Sequence, residues 1–425
     1  MDRDETEYLK RRMAYERDRA GTPPGFPVFP LIPGGRYLSE DFAALERTHV
    51  FGKSWLLAGH LDELPEPGSY KSWDRTGWPV VLIHQDDGAV KAFHNVCRHR
   101  GAVVARKDKG RTRLLACSYH GWSYDWAGNL VSVREERDFP GLDKSCLGLK
   151  PVRCERLGKF IYINFDDEAR PLKDVLGPLV SDWAEFQLDR LRLIDHYEWS
   201  IPCNWKLALE GNIEFYHAPS IHQKTTPPFI HTKQGSITLF EGGHSRDVIY
   251  CEGKQEALEA SGMMDALPQI DTVGEIARHH GLIYNAFPNG LYGDMNQFYV
   301  TAPQFWPDGL EATKYEVYWL GADWGDGPRP AAWDAVIEGF NAVIREDVEF
   351  AQTVQQGANS PAFDGIRPGY LEARIYHFHQ ALDAAIGRDN IPGGLAVEPV
   401  ISADWIHPHD RQWREEAMAA ASAAQ

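Results

Sequence analysis

Residues 97–122 carry the feature that most constrains the fold, two short motifs that each pair a cysteine with a histidine. The segment reads CRHRGAVVARKDKGRTRLLACSYHGW. The first motif is Cys97-x-His99, the second is Cys117-x-x-His120, and 17 residues separate them. Four such residues at these spacings are typical of a metal site. As a metal site, the quartet requires a fold in which two loops meet around one metal centre.

Three interpretations of this quartet compete: a structural zinc site, a Rieske [2Fe–2S] cluster, and four unconnected core residues. Zinc fingers usually take both cysteines from one loop and both histidines from a helix, whereas here each motif supplies one of each. In a Rieske cluster two cysteines hold one iron and two histidines hold the other, so each loop must reach both irons. Gly101 and Gly121 follow the histidines and permit a tight backbone. The pattern therefore favours the Rieske cluster.

The residues around the quartet indicate a low-potential cluster. Respiratory Rieske centres have a disulfide between the two loops, at positions that hold Ala102 and Tyr119 here, and a serine at the position of Trp122. Fewer hydrogen bonds to the cluster sulfurs leave the reduced state less stabilised. In these positions the sequence resembles the low-potential oxygenase or ferredoxin type.

A second group of candidate ligands follows in NWKLALEGNIEFYHAPSIH, residues 204–222. His217 and His222 are separated by about 140° around an ideal helix, and we expect Pro219 to break that helix so that both converge. Glu214 lies one turn before His217. Two histidines and one carboxylate form the ligand set of non-haem Fe(II) oxygenases, which leaves positions open for O₂ and substrate. Taken alone, helix-end histidines with ordinary hydrogen bonds are the alternative.

On these motifs the chain resembles the alpha (catalytic) subunit of Rieske non-haem iron ring-hydroxylating oxygenases. The resemblance spans nearly the whole chain after residue 40 and includes REDVEFAQTVQQG at residues 345–357. It implies that His217, His222 and Asp347 hold Fe(II). Spacing alone does not choose Asp347 over Glu346 or Glu349.

The resemblance also implies a catalytic role for Glu214. The family has an acid here, usually aspartate, that bridges the first iron-binding histidine to a cluster histidine of the neighbouring subunit. Many dioxygenases have an asparagine where this chain has Glu210, so Glu210 has no assigned role.

The implied fold class is α+β, with an N-terminal antiparallel β Rieske domain and a C-terminal helix-grip (START/Bet v1-like) catalytic domain that holds a mononuclear iron. Strand-like runs at residues 78–84 and 89–96 flank Asp86-Asp87-Gly88, which predicts a β-hairpin. A chain of 425 residues is long enough for two cores. The expected divisions are a helical extension at 1–45, the Rieske domain at 46–166 and the catalytic domain at 167–425.

Charge and composition limit the partners. The chain has 44 basic and 61 acidic residues, a net charge of −17, which argues against nucleic acid or anionic membranes as partners and favours a protein with a basic patch. The N-terminus has no apolar signal region, and no apolar run reaches about 18 residues. Six sparse cysteines fit a cytoplasmic protein with reduced thiols.

The function implied by the resemblance is that of a terminal oxygenase. It would use O₂ and electrons from NAD(P)H, through a reductase and possibly a ferredoxin, to dihydroxylate an aromatic or related hydrophobic ring. Alternatives are a monooxygenase or demethylase acting on a small quaternary amine or methoxy compound, and an electron carrier with a degenerate second site.

The resemblance further implies a head-to-tail homotrimer (α₃), or an α₃β₃ assembly with a small beta subunit. His120 of one subunit would then face Glu214 of the next. An apolar substrate pocket is expected near the iron ligands. Candidate pocket residues are Phe215, Ala218, Leu282, Tyr284, Phe287 and Phe298.

Overall fold

The computed structural model describes residues 1–293 and 295–423, which form two compact units. The smaller unit is Phe51–Asp174, and the larger unit comprises Met1–Val50 and the described residues from Val175 onward. The first 50 residues are thus part of the larger unit. The domain boundaries expected at residues 45 and 166 remain predictions.

The helices are α1 (Arg3–Asp18), α2 (Gly35–Leu38), α3 (Glu40–Leu45), α4 (Leu172–Leu176), α5 (Pro178–Trp183), α6 (Trp205–Glu210), α7 (Ala218–Ile221), α8 (Lys254–Ala260), α9 (Met263–Ala266), α10 (Glu275–His279), α11 (Ala332–Ala358), α12 (Ala373–Ile386) and α13 (Asp410–Ala423). The strands of the smaller unit, which follow β1 (Ile32–Pro33) in the chain, are β2 (Leu56–His60), β3 (Ser69–Trp73), β4 (Val80–His84), β5 (Val90–His94), β6 (Lys109–Arg111), β7 (Leu115–Ala116), β8 (Ser123–Tyr124), β9 (Leu130–Ser132), β10 (Pro151–Leu157) and β11 (Phe160–Asn164). The later strands are β12 (Arg192–Ile201), β13 (Ile230–Leu239), β14 (Ser245–Cys251), β15 (Gly281–Ala286), β16 (Gly290–Tyr292), β17 (Tyr299–Pro307), β18 (Thr313–Gly321) and β19 (Gly365–Ile366).

The smaller unit is built from antiparallel strands, as the hairpin signal predicts. Seven strands form one sheet in the order β2-β11-β10-β5-β4-β3-β6, and β7-β8-β9 form a second. The predicted hairpin is present as the pair β4–β5. The first cysteine–histidine motif follows β5, and the second lies between β7 and β8. Both cysteines belong to the same buried core as Phe93 and Trp122.

The larger unit contains a seven-stranded antiparallel sheet in the order β12-β18-β17-β16-β15-β14-β13. Helices α1 and α5 contact Arg246 on one face of this sheet, and α11 and α12 lie on the other face. Tyr197 and Trp319 share that face, because Tyr197 pairs with Val317 and side chains alternate along a strand. Helix α11 packs there: the Tyr197 hydroxyl donates to Asn341 at 2.6 Å, and the Trp319 and Phe340 rings are 5.1 Å apart. The α+β class with antiparallel sheets is therefore confirmed.

Helix α12 packs near the opposite edge of the same sheet. The Arg374 Nε atom donates to Ser245 Oγ at 2.9 Å, and the His377 ring lies 2.8 Å from the Phe240 carbonyl oxygen. Among the described residues, no helix combines the length and apolar character that crossing a bilayer requires.

Candidate metal centres

The two cysteine–histidine loops have the same backbone conformation although their spacings differ. In each loop the cysteine carbonyl accepts the N–H of the glycine four residues on, at 2.9 Å for Cys97–Gly101 and 2.9 Å for Cys117–Gly121. Both glycines have φ of +76°, in the left-handed region, where a side chain is unfavourable. These glycines therefore shape two equivalent loops, which explains why one follows each histidine.

The four side chains converge in a way that fits a [2Fe–2S] cluster. His99 Nδ1 and His120 Nδ1 are 3.1 Å apart, and two imidazole nitrogens about 2.1 Å from one shared metal ion lie roughly 3–3.4 Å apart. Cys97 and Cys117 are buried and form no disulfide. Burial above all raises the pKa of the Cys117 thiol, and the neighbouring Cys97 thiol adds to it. The structure thus pairs histidine with histidine and cysteine with cysteine, as the cluster requires.

The two histidines differ in what covers them. The Trp122 ring stacks on His99 with centroids 4.9 Å apart and is 3% exposed. The Tyr119 ring stacks on His120 at 3.8 Å but is 55% exposed. His120 therefore lies on the solvent side of the motif.

Tyr124 contacts the cluster site, and the sequence interpretation missed it. Its hydroxyl accepts the Arg98 N–H at 2.9 Å and lies 3.4 Å from Cys97 Sγ. Because the Arg98 bond uses an oxygen lone pair, the hydroxyl hydrogen remains available for the sulfur. The available signal was the position of Tyr124 two residues after Trp122.

The segment that carries the other two histidines is less helical than predicted. The expected helix through residue 218 ends at Glu210 as α6, and a new short helix, α7, begins at Ala218. Pro219 lies in the first turn of α7, where its missing N–H breaks no hydrogen bond. The expectation that Pro219 breaks the helix was therefore wrong, since the break precedes it, between Glu210 and His217.

This break brings three predicted ligand atoms together. His217 Nε2 and His222 Nε2 are 3.2 Å apart, and Asp347 Oδ1 on α11 lies 3.0 Å from His222 Nε2 and 3.6 Å from His217 Nε2. Three ligands about 2.1 Å from one ion and at right angles to one another are separated by roughly 3 Å. The three residues therefore form one face of a coordination sphere and fit a mononuclear iron.

The structure distinguishes Asp347 from Glu346 and Glu349, the two acids that spacing alone leaves as alternative ligands. Glu346 Oε2 lies 2.9 Å from His222 Nδ1, the ring nitrogen that faces away from the ligand atoms, and accepts the Thr225 hydroxyl at 2.5 Å. The Thr225 bond, followed by His222, lowers the pKa of Glu346. Glu349 is exposed. Only Asp347, of these three, directs a carboxylate oxygen at both Nε2 atoms.

Glu214 backs the other histidine. Its Oε1 lies 2.5 Å from His217 Nδ1, while Oε2 accepts the backbone N–H of His217 at 3.1 Å and that of Tyr216. The carboxylate thus accepts a hydrogen bond from Nδ1–H, which leaves the Nε2 lone pair of His217 available to a metal.

Glu210 lies in a separate buried network. Its carboxylate accepts the Tyr37 hydroxyl at 3.0 Å and lies 2.7 Å from His379 Nε2. Arg36 Nε donates to His379 Nδ1 at 3.0 Å, so the His379 proton is on Nε2 and points at Glu210. Burial raises the pKa of Glu210 to about 8. Glu210 thus connects α6 to α2 and α12.

The candidate pocket residues are not all in one place. Phe215 lines a cleft, whereas Ala218 is buried at the start of α7. Leu282 and Tyr284 lie on the sheet face that carries Arg246, opposite to Ser245 and α12, and the Tyr284 hydroxyl donates to Asp182. Phe287 packs on the Phe378 ring, and Phe298 is a core residue. The cleft beside Phe215 is also lined by Glu16, Tyr216, Gly235, Ile237, Asp247, Ile249, Tyr370 and Leu371.

Two protein families match these regions. Residues 54–144 match the Rieske [2Fe–2S] domain, and residues 186–388 match the ring hydroxylating alpha subunit (catalytic domain). The chain belongs to the Rieske ring-hydroxylating oxygenase family. Both cofactors follow from this membership, the [2Fe–2S] cluster in the smaller unit and the mononuclear iron in the larger one.

Relatives within this Rieske oxygenase family differ in reaction. The chlorobenzene dioxygenase subunit alpha of Cupriavidus sp. (strain PS12) is 40% identical over 195 residues, which are 43% of this chain and only 42% of that relative. The glycine betaine monooxygenase oxygenase subunit of Chromohalobacter salexigens is 26% identical over 385 residues, 82% of each chain. The crystal structure of the quaternary ammonium Rieske monooxygenase CntA shares the fold, with a TM-score of 0.71, 20% identity, and coverage of 88% of this chain and 98% of that one.

Proposed function

We propose that the protein is the terminal oxygenase component of a multicomponent system. The observation that carries this proposal is the co-occurrence of two complete ligand sets in one chain. One places two histidine nitrogens 3.1 Å apart beside two buried cysteines, and the other places three donor atoms within 3.6 Å of one another. An electron carrier needs only the first set, so the second supports an enzyme over a carrier.

When bound, the cluster would supply electrons and the mononuclear iron would supply O₂ chemistry at the open positions that a facial triad leaves. The chain's own contribution is positioning. The Glu214 carboxylate accepts a hydrogen bond from Nδ1–H of His217 and keeps Nε2 directed at Asp347. In a head-to-tail homotrimer, His120 of a neighbouring subunit would face Glu214, and a carboxylate between two imidazoles would hold both rings. The exposed Tyr119 and Tyr216, at 55% and 65%, suit surfaces that another subunit covers.

The electrons would come from an NAD(P)H-dependent reductase, directly or through a ferredoxin. The net charge of −17 supports a donor with a basic docking surface.

Two substrate classes are supported by different observations. Dihydroxylation of an aromatic or related hydrophobic ring is supported by the 40% identity to a chlorobenzene dioxygenase alpha subunit. Monooxygenation of a small quaternary amine is supported by the match to a glycine betaine monooxygenase over 82% of both chains.

A product screen distinguishes these reactions. The protein, loaded with cluster and Fe(II), would be incubated with a surrogate reductase, NADH and O₂, and with two panels, aromatic hydrocarbons and quaternary ammonium compounds. A cis-diol from the first panel supports dihydroxylation, whereas formaldehyde or a hydroxylated amine from the second supports monooxygenation. NADH consumption that yields only hydrogen peroxide with every compound would contradict both substrate classes.

A further inference from the structure

The mononuclear site contains a second carboxylate–histidine pair that matches the one made by Glu214. Glu346 Oε2 lies 2.9 Å from His222 Nδ1, just as Glu214 Oε1 lies 2.5 Å from His217 Nδ1. Both imidazoles therefore direct Nδ1 at a carboxylate and Nε2 at the other donor atoms of the mononuclear site. The sequence resemblance assigns a role to Glu214 alone.

We propose that Glu346 is the positioning residue for His222, and that it sets the affinity of the mononuclear site for Fe(II). The proposal rests on the iron site of the proposed function and names a determinant of that site. A carboxylate that accepts a hydrogen bond from Nδ1–H fixes the tautomer and the ring orientation, and it raises the basicity of Nε2 toward a metal.

Helix α11 gives this contact its geometry. Glu346 and Asp347 are consecutive, so one turn of α11 presents the metal-facing carboxylate and the backing carboxylate together. Asp347 Oδ1 approaches His222 Nε2 at 3.0 Å while Glu346 approaches Nδ1 of the same ring. The ring is thus held at both nitrogens by one rigid element.

Thr225 orients the Glu346 carboxylate. Its hydroxyl donates to Oε2 at 2.5 Å, the oxygen that also faces His222 Nδ1. The Thr226 N–H donates to the His222 carbonyl at 2.9 Å, which closes a turn around the histidine. The segment after α7 is therefore tied to α11 through Glu346. The segment between α6 and α7 is irregular and cannot position the histidines by itself, so the Glu346 contact is needed to hold His222 in place.

The test is Fe(II) affinity measured by chelator competition on the full-length protein with its cluster intact. We expect Glu346→Ala to weaken Fe(II) binding by about 10–100-fold, the usual effect of removing a partner behind a metal ligand. Glu346→Gln keeps an oxygen acceptor but removes the charge, so its loss should be smaller. Thr225→Val should also weaken binding less than Glu346→Ala. Glu349→Gln removes one exposed carboxylate from the same helix, one turn closer to its C-terminus, and should stay within about twofold of the wild type.

A spectroscopic measurement separates this role from simple support of the fold. With Co(II) in the mononuclear site, Glu346→Ala and Glu346→Gln should shift the visible ligand-field bands, while the cluster absorption stays unchanged. Wild-type affinity and an unshifted Co(II) spectrum in either Glu346 variant would overturn the proposal. If Glu346→Ala does not fold, Glu346→Gln and Thr225→Val decide the matter by the same criteria. A wild-type protein that binds Fe(II) but converts no substrate would contradict the proposed substrates and leave this proposal standing, whereas a wild type that binds no Fe(II) outside the cluster would overturn both.

Discussion

His217 and His222 face each other through Nε2 atoms 3.2 Å apart, although the chain between them forms the separate short helix α7. A carboxylate accepts the Nδ1–H of each ring, so the lone pairs of both Nε2 atoms are available to a metal. Neither ring is placed by helical periodicity alone. The site therefore depends on side-chain contacts from α11 and from Glu214, and single substitutions there should have separable effects.

Asp347→Ala should remove the mononuclear iron and spare the cluster. The variant loses the only carboxylate oxygen, among the described residues, that we find directed at both Nε2 atoms. Iron content should fall from about three to about two atoms per chain, with the visible spectrum of the cluster retained. Glu349→Gln is the matched control and should keep full iron content. Retention of the third iron in Asp347→Ala would show that another residue completes the ligand set.

Glu214→Gln should leave both metal centres occupied and suppress oxygenation by about 100-fold, within the range seen when a partner behind a metal ligand is removed. The neutral amide can keep part of the hydrogen bonding to His217 and to the backbone, but it loses the charge that a bridge between two imidazoles needs. The measurements are iron content, cluster reduction by dithionite and product formed per NADH. Glu214→Asp, which restores the acid more common in the family, should recover part of the activity. Near-normal turnover in Glu214→Gln would exclude the bridging role.

The chemistry-bearing residues were more predictable from sequence than their surroundings. The cluster ligands could be proposed because cysteine and histidine at those spacings have few other uses, and the β4–β5 hairpin was predictable because strand-like runs flank Asp86-Asp87-Gly88. The break after α6 was not. The apolar spacing of residues 205–218 continues through it, and the Glu214 carboxylate accepts the N–H groups that a helix would have paired. Glu346 and Tyr124 were missed because their roles depend on contacts across elements.

Tyr124→Phe should lower the reduction potential of the cluster. Its hydroxyl lies 3.4 Å from Cys97 Sγ, and a hydrogen bond to a cluster ligand stabilises the more negative reduced state. A net contribution of about 1 kcal/mol corresponds to roughly 40 mV for one electron. Protein-film voltammetry would measure the shift. Tyr119→Phe keeps the ring stacked on His120 and should leave the potential unchanged, whereas an equal shift in both variants would assign the effect to general loss of polarity.

Glu210 should make stability depend on pH in a direction opposite to that of an ordinary paired carboxylate. Arg36 pairs with Asp383 at 2.6 Å and Lys206 with Glu46 at 2.8 Å, so the neighbouring cations already have carboxylate partners. Burial raises the pKa of Glu210 from 4.5 to about 8. Between these two pH values the folded state keeps a proton on Glu210 that the unfolded state releases. The contribution of Glu210 to the free energy of unfolding is therefore complete below pH 4.5 and is lost as pH rises toward 8.

Glu210→Gln mimics the protonated acid and cannot lose that proton. Relative to the wild type, its free energy of unfolding should rise by on the order of 1–2 kcal/mol between pH 6 and pH 8. Denaturant titration of both proteins at the two pH values gives this difference and cancels the other titrating groups. Glu349→Gln, at an exposed position, should show the same difference from the wild type at both pH values. A pH-independent difference for Glu210→Gln would mean that Glu210 is already ionised in the folded protein at pH 6, with the Tyr37 hydroxyl and the His379 N–H stabilising its charge.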